Sequence, residues 1–186
     1  MIQVVGTKQR EFIFPGNPQT ALTFYNDFSR LTTFLPHITL TTQATPDQVR
    51  MRYHTRELGA YQVTIFADLQ TRTNHDPADN TRVLWVEQAT NFDPVASHSG
   101  FNTTTAHGRF QSESRFYPHG NQTRIDYTIH LQAELPSPVG LRFVPQGLLN
   151  RIAQSIAQGR MEEIINGFIQ HSIGAFPAWL AQNEEK

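Results

Sequence analysis

The chain has 186 residues, 38% of them hydrophobic, with 13 phenylalanines and a formal net charge of −1. That length can bury a real core in one domain, and that apolar content excludes a disordered chain. Mixed charges without a basic field argue against a nucleic-acid partner, the lack of cysteine excludes disulfides, thiolate metal sites and cysteine nucleophiles, and no apolar run is long enough for a transmembrane helix.

The N-terminus, MIQVVGTKQREF, lacks the charged-then-apolar pattern of a secretion signal, so a soluble, cytoplasmic protein is the expectation. A first strand is read at Glu11 to Phe14. Next, ALTFYNDFSRLTTFLPHI has helical periodicity but stops at Asn26-Asp27 and again at Leu35-Pro36, which predicts two short helices. Asn17 before Pro18 suits the start of the first, and Asp27 or Ser29 the start of the second. Phe24, Tyr25, Phe28, Leu31, Phe34 and Leu35 supply their inward face. His37 to Ala44 is a short strand, closed by the TPDQ turn.

Gln48 to Glu57 alternates, with Val49, Met51 and Tyr53 facing away from Arg50, Arg52, His54 and Arg56. A turn at Gly59 leads into Ala60 to Thr73, with Tyr61, Val63, Ile65 and Leu69 on one side. The HDPADN turn precedes a strand from Thr81 to Phe92, apolar on both faces around Val83 to Val86. Val95 to Thr105 reads as a loop. His107 to Tyr117 is a strand whose Gly108, Phe110, Ser112, Ser114, Phe116 face suits either a half-wet interior wall or an edge strand. Gln122 to Leu135 alternates most clearly, with Ile125, Tyr127, Ile129 and Leu131 inward. From Leu148 to Leu180 the pattern is helical, with one stripe at Leu149, Ile152, Ala153 and Ile156. A second, rotated stripe holds Met161, Ile164, Ile165 and Phe168, so a bend or a break near Gly159, or two faces that each meet something, is expected. Phe176, Pro177, Trp179 and Leu180 follow Gly174; if the helix ends near there, this tail could fold back on the sheet edge or lie on a partner or membrane surface, and packing on the domain itself is expected, because a free apolar tail invites aggregation.

Hairpin-linked strands with one wet face form an antiparallel meander, and its dry face needs a cover. The fold class is therefore α+β: about seven antiparallel strands, two bracket helices after the first, and a long C-terminal helix. Residues 1–186 form one domain.

The residues EFIFPGNPQTALTFYNDFSRLTTFLPHI and VPQGLLNRIAQSIAQGRMEEIINGFIQHSIGAF resemble the SRPBCC superfamily, the START-like helix-grip fold shared with the birch-pollen-allergen group. Within it the resemblance is to a cyanobacterial and plastid branch without an assigned function. It implies a curved sheet gripping the C-terminal helix and a cavity for an apolar molecule such as a lipid, pigment or quinone. Candidate lining residues are Met51, Tyr53, Tyr61, Val63, Ile65, Trp85, Phe110, Tyr127 and Ile129 from the sheet. Ile156, Ile164 and Phe168 come from the helix. The mouth is expected between the helix start, the Val95 to Thr105 loop and the bracket helices. Each of these residues could equally be plain core.

No histidine pair has metal-ligand spacing, and neither a phosphate loop nor a GxSxG elbow is present, so no metal and no cofactor is assigned. Arg160 and His171 lie three helical turns apart and share an azimuth, so either could orient a ligand; Arg160 could also pair locally with Glu162 or Glu163. Three functions compete: a carrier or sensor of a small apolar ligand, an enzyme of the cyclase or dehydratase kind in the same cavity, and an interaction module whose cavity is filled by its own side chains. The first is preferred, without catalysis, because the readable inward faces hold tyrosines but hardly any Asp, Glu or His. Oligomeric state and transient membrane contact stay open.

Overall fold

The computed structural model describes residues 1–184. The elements run β1 (Ile2–Phe14), α1 (Pro18–Tyr25), α2 (Phe28–Phe34), β2 (Ile38–Thr45), β3 (Gln48–Glu57), β4 (Tyr61–Asp76), β5 (Thr81–Gln88), β6 (His98–Ser99), β7 (Thr103–His119), β8 (Gln122–Leu135) and α3 (Gln146–Glu184). The sheet order is β1-β8-β7-β5-β4-β3-β2, with the two-residue β6 paired to β7. This is the α+β helix-grip architecture expected from the sequence, with eight strands instead of about seven.

Strand pairing is antiparallel except at one place. β5 stops at Gln88, the chain crosses the outside of the sheet, and β7 enters alongside the start of β4. There Gln62 to Phe66 pair in parallel with Thr103 to His107. β7 therefore lies inside the sheet, between β8 and its β5 and β4 neighbours, and the edge-strand reading of its Gly/Ser/Phe face is corrected. β1 is much longer than the Glu11 to Phe14 segment read from sequence. It pairs with β8 from Ile2 opposite Leu135 to Phe14 opposite Thr123, and Ile2 and Val4 are buried.

The caps are as the sequence suggests. Asn17 Oδ1 accepts from Thr20 N at 2.9 Å, and Asp27 Oδ1 accepts from Ser29 N at 3.0 Å. Each cap satisfies donors that a helix start leaves unpaired. The two helices plug one end of the curved sheet with an aromatic cluster. Phe24 lies 5.4 Å from Phe14, 5.5 Å from Phe176 and 5.3 Å from Trp179, ring centroid to centroid.

α3 is one helix through Gly159 and Gly174, and Pro177 sits inside it. The helix therefore neither breaks at Gly159 nor ends near Gly174. Phe176 and Trp179 are the last turns of a continuous helix, held by the aromatic cluster. The rotated stripes pack on different clusters: Leu149, with Ala153, on Ile2, Val4 and Leu135, and Met161, Ile165 and Phe168 on the aromatic core, while both stripes also border open space.

A ridge of α3 at eight-residue spacing seals the β1 edge, which otherwise has unpaired backbone groups. Gln146 Nε2 donates to the Met1 carbonyl at 2.7 Å. The Gln154 amide bonds both the N–H and the carbonyl of Val5, like another strand. Glu162 holds Lys8 at 3.3 Å and also pairs with Arg10. At Gly6 a Cβ would stand 2.2 Å from Met161 Sδ, so the Met161 side chain occupies the space that the glycine leaves open. α3 is thus fastened along one edge of the sheet.

Candidate functional site

The inward face of β3, β4, β7 and β8 curves away from α3 faster than side chains can fill the gap. Inward residues of central strands are normally buried outright. Val63, Ile65, Phe110 and Leu131 are only half-buried, as are Ile152, Ile156 and Ile164 opposite them on α3. They keep accessible surface because they face a void. The void is a cavity of about 310 Å³, within the range of small-molecule sites.

All but two of the residues named from the sequence line it. Met51, Tyr53, Tyr61, Val63, Ile65, Phe110, Tyr127 and Ile129 form the sheet wall, and Ile156, Arg160, Ile164 and Phe168 the helix wall. Trp85 lies elsewhere. Its neighbours Leu84 and Val86 face the cavity, so Trp85 points outward, with Arg72 stacked 4.1 Å above its ring and its indole N–H donating to Glu113 at 3.1 Å. His171 is exposed, beside the Phe34 carbonyl at 3.3 Å, and does not line the cavity. With Trp85 outside, the bulk needed to close the interior is missing.

The lining has few polar groups, and they are placed. Tyr25 and Tyr127 are buried, and Tyr25 Oη shares a 2.8 Å hydrogen bond with Ser172. Burial drives both phenols well above their ordinary pKa, and the Ser172 and Ser112 hydroxyls offset part of that. Tyr53 is pushed up to about 12, first by burial and then by the charge of Glu57. The unfolded chain ionises its tyrosines near pH 10, whereas the folded chain keeps Tyr25 and Tyr127 protonated. Their stabilising share is intact below pH 10 and falls above it by about 1.4 kcal/mol per pH unit for each phenol. Alkaline titration at 295 nm is therefore expected to show the last tyrosinate absorbance appearing together with loss of the far-ultraviolet dichroism, and not before.

The charged part of the wall was half legible. Arg160 does not stand alone: its Nε and Nη2 donate to Glu57 at 2.9 and 3.2 Å, and its Nη1 to Glu163 at 2.6 Å. These hydrogen bonds, Glu57's foremost, raise the guanidinium pKa further still. Glu163 in turn lies 3.0 Å from His37 Nε2 and is held below the usual carboxylate range, chiefly by Arg160 and then by His37. The chain Glu57–Arg160–Glu163–His37 joins β3, α3 and the α2–β2 connection across the side where α3 is not fastened. Glu57, 9% exposed, was missed. Continuing the parity of Val49, Met51 and Tyr53 to residue 57 places it inward, so the signal was present. Arg160 carries one positive charge between two carboxylates, which leaves no surplus for an anionic ligand. Among the described residues no three His, Asp or Glu side chains gather as metal ligands would.

The wall reaches the surface at Leu58, which lines the cavity yet is 65% exposed, beside Pro138, Leu141 and Val144 ahead of α3. The helix start bounds the opening as expected. The bracket helices instead close the far end, where Tyr25, Phe28 and Leu31 meet the cavity.

No family model matches the sequence, and no curated protein sequence matches it. The fold does match solved structures. A conserved protein from Geobacillus kaustophilus superposes with a TM-score of 0.52 at 12% identity, over 93% of this chain and 96% of that one. The TTHA0849 protein of Thermus thermophilus gives 0.50 at 18% identity, over 93% and 98%. The Zhui aromatase/cyclase from a Streptomyces species gives 0.49 at 11%, over 93% and 94%. At these identities the likeness is one of fold.

Proposed function

We propose that this helix-grip domain binds and carries a small, mainly apolar molecule between its sheet and α3. The half-burial of inward aliphatic residues on both walls carries the reading: a chain that folds to bury such groups leaves them uncovered only where something else covers them. Uptake is driven by removing apolar surface from water. Roughly 400 Å² of guest surface at about 25 cal/mol per Å² gives about 10 kcal/mol, part of which offsets the loss of the guest's freedom. The tyrosine and serine hydroxyls suit one neutral polar group on an otherwise apolar guest. The internally compensated Arg160 disfavours a carboxylate or phosphate inside. A lipid, pigment or quinone-like molecule fits this description, and the reading assigns no catalytic step.

Native mass spectrometry of the protein purified from its own organism tests it. The expected result is a discrete adduct that organic solvent removes, after which the protein takes up the apolar fluorophore N-phenylnaphthylamine with an enhanced, blue-shifted emission. A bare chain that also fails to enhance the fluorophore refutes it.

A further inference from the structure

Large apolar side chains at high exposure are few in this molecule, and several gather at the open end of the cavity. Phe143 is 92% exposed, Phe101 76% and Leu58 65%, with Val139 and Leu148 at 45% and 42%. They come from the β3–β4 turn, the turn before β7, the connection into α3 and its first turn. Backbone hydrogen bonds tie these three segments together. Gly140 N donates to the Phe101 carbonyl at 2.9 Å, Val139 N to the Gly100 carbonyl at 3.0 Å, and Gln62 N to the Asn102 carbonyl at 2.9 Å. Phe143 is held up rather than trailing: Leu141 and Val144 on either side of it are seated in the cavity wall, and Val144 N bonds the Leu141 carbonyl at 2.9 Å.

Charge on the connection into α3 is one-sided. From Pro136 to Met161 the chain has no Asp or Glu, while Arg142 and Arg151 are exposed, as is Arg56 beside Leu58. None of these three arginines forms an ion pair among the described residues. Of the acids that flank these segments in the chain, Glu57 is turned inward onto Arg160, and Glu134 is exposed near the end of β8.

We infer that this rim docks on an anionic lipid surface, with Phe101, Phe143 and Leu58 entering the headgroup–acyl boundary and Arg56, Arg142 and Arg151 on the lipid phosphates. Separate protruding tips, with Arg56 two residues from Leu58 and Arg142 next to Phe143, match a deformable anionic surface better than the flat apolar face a second copy would need. Apolar insertion and basic attraction are the two contributions that hold peripheral proteins on membranes, each weak alone. No described helix is long and apolar enough to cross a membrane. The docking surface does not depend on the cavity being occupied; if it is, the opening at Leu58 faces the lipid.

Co-sedimentation with vesicles tests the inference. The chain is expected to pellet with phosphatidylcholine vesicles containing about one part in three phosphatidylglycerol, and far less with phosphatidylcholine alone. Phe101→Ser with Phe143→Ser, neither of which lines the cavity, is expected to weaken that binding at least about tenfold. The melting temperature and N-phenylnaphthylamine uptake in solution stay as in the parent. Arg142→Gln with Arg151→Gln is expected to weaken it about fivefold per arginine and to flatten its salt dependence. Absence of vesicle binding by the parent overturns the inference, as does unchanged binding by the phenylalanine variant. A dimer in sedimentation velocity that the phenylalanine variant dissociates, without vesicle binding, assigns the rim to a second copy and overturns it too. Loss of fluorophore uptake with vesicle binding retained would instead count against the cavity reading alone.

Discussion

Ile164→Trp is expected to weaken uptake of N-phenylnaphthylamine about tenfold and to leave the fold intact. Ile164 is half-buried, faces the cavity from α3, and sits one turn from the Arg160 pair. A larger ring there enters space that is already open, so it forces no repacking, unlike an insertion into a filled core, which costs about 1–3 kcal/mol. If the ring excludes roughly 60 Å² of guest surface, the loss at about 25 cal/mol per Å² is about 1.5 kcal/mol, or about tenfold in affinity. Val63→Trp makes the same test from the sheet side. Fluorescence titration gives the affinity and thermal melting the stability. Unchanged uptake by two stable variants would remove the cavity from the mechanism. A fall in melting temperature of many degrees would show instead that the interior is already filled by side chains.

The contrast between Ile164 and Trp85 shows what the sequence could and could not convey. β3 and β8 have the ends read from sequence, Gln48–Glu57 and Gln122–Leu135, because strict alternation between turn residues fixes both extent and face. β5 is apolar on both sides, so its parity carries no information about which side is inside. Its outer face is covered by the Arg72 stem and Glu113, partners that no local pattern announces. Arg160 and His171 share an azimuth on α3, but eleven residues carry the helix from the cavity to α2, and the same azimuth meets the Phe34 carbonyl. Azimuth is local to a helix, whereas surroundings are a property of the whole fold. The early half of β1 was hidden for a related reason: after Ile2 and Val4 its sequence turns polar, and only thirteen residues of pairing with β8 and the α3 ridge make it a strand. The exposed tips at Leu58, Phe101 and Phe143 fall in turns, where an apolar residue looks the same whether it folds in or stands out.

Phe24→Ala is expected to cost about 3–5 kcal/mol, the range for removing a fully buried aromatic ring. Phe24 has no exposed surface. Its ring stacks on Phe34 at 5.8 Å, meets Tyr25 edge-on at 5.1 Å, and contacts Phe14, Phe176 and Trp179. The Arg30 guanidinium lies 5.2 Å from its centroid and 5.1 Å from that of Trp179, so the ring also seats a cation. It therefore joins β1, α1, α2 and the last turns of α3 at one point. The cluster can collapse little, because its neighbours are themselves large rings on different elements, so the upper part of the range applies. For a domain of this length each kcal/mol lowers the melting temperature by about 2–4 °C, giving a shift of about 6–20 °C. Near-ultraviolet dichroism is expected to fall with it, since five aromatic neighbours lose a fixed contact. Phe101→Ala removes a ring of the same size from a site 76% exposed and is expected to leave the melting temperature unchanged. Equal shifts for the two variants would mean that α1 and α2 do not clamp the end of α3, and the cavity would lose the closed end that the bracket helices give it.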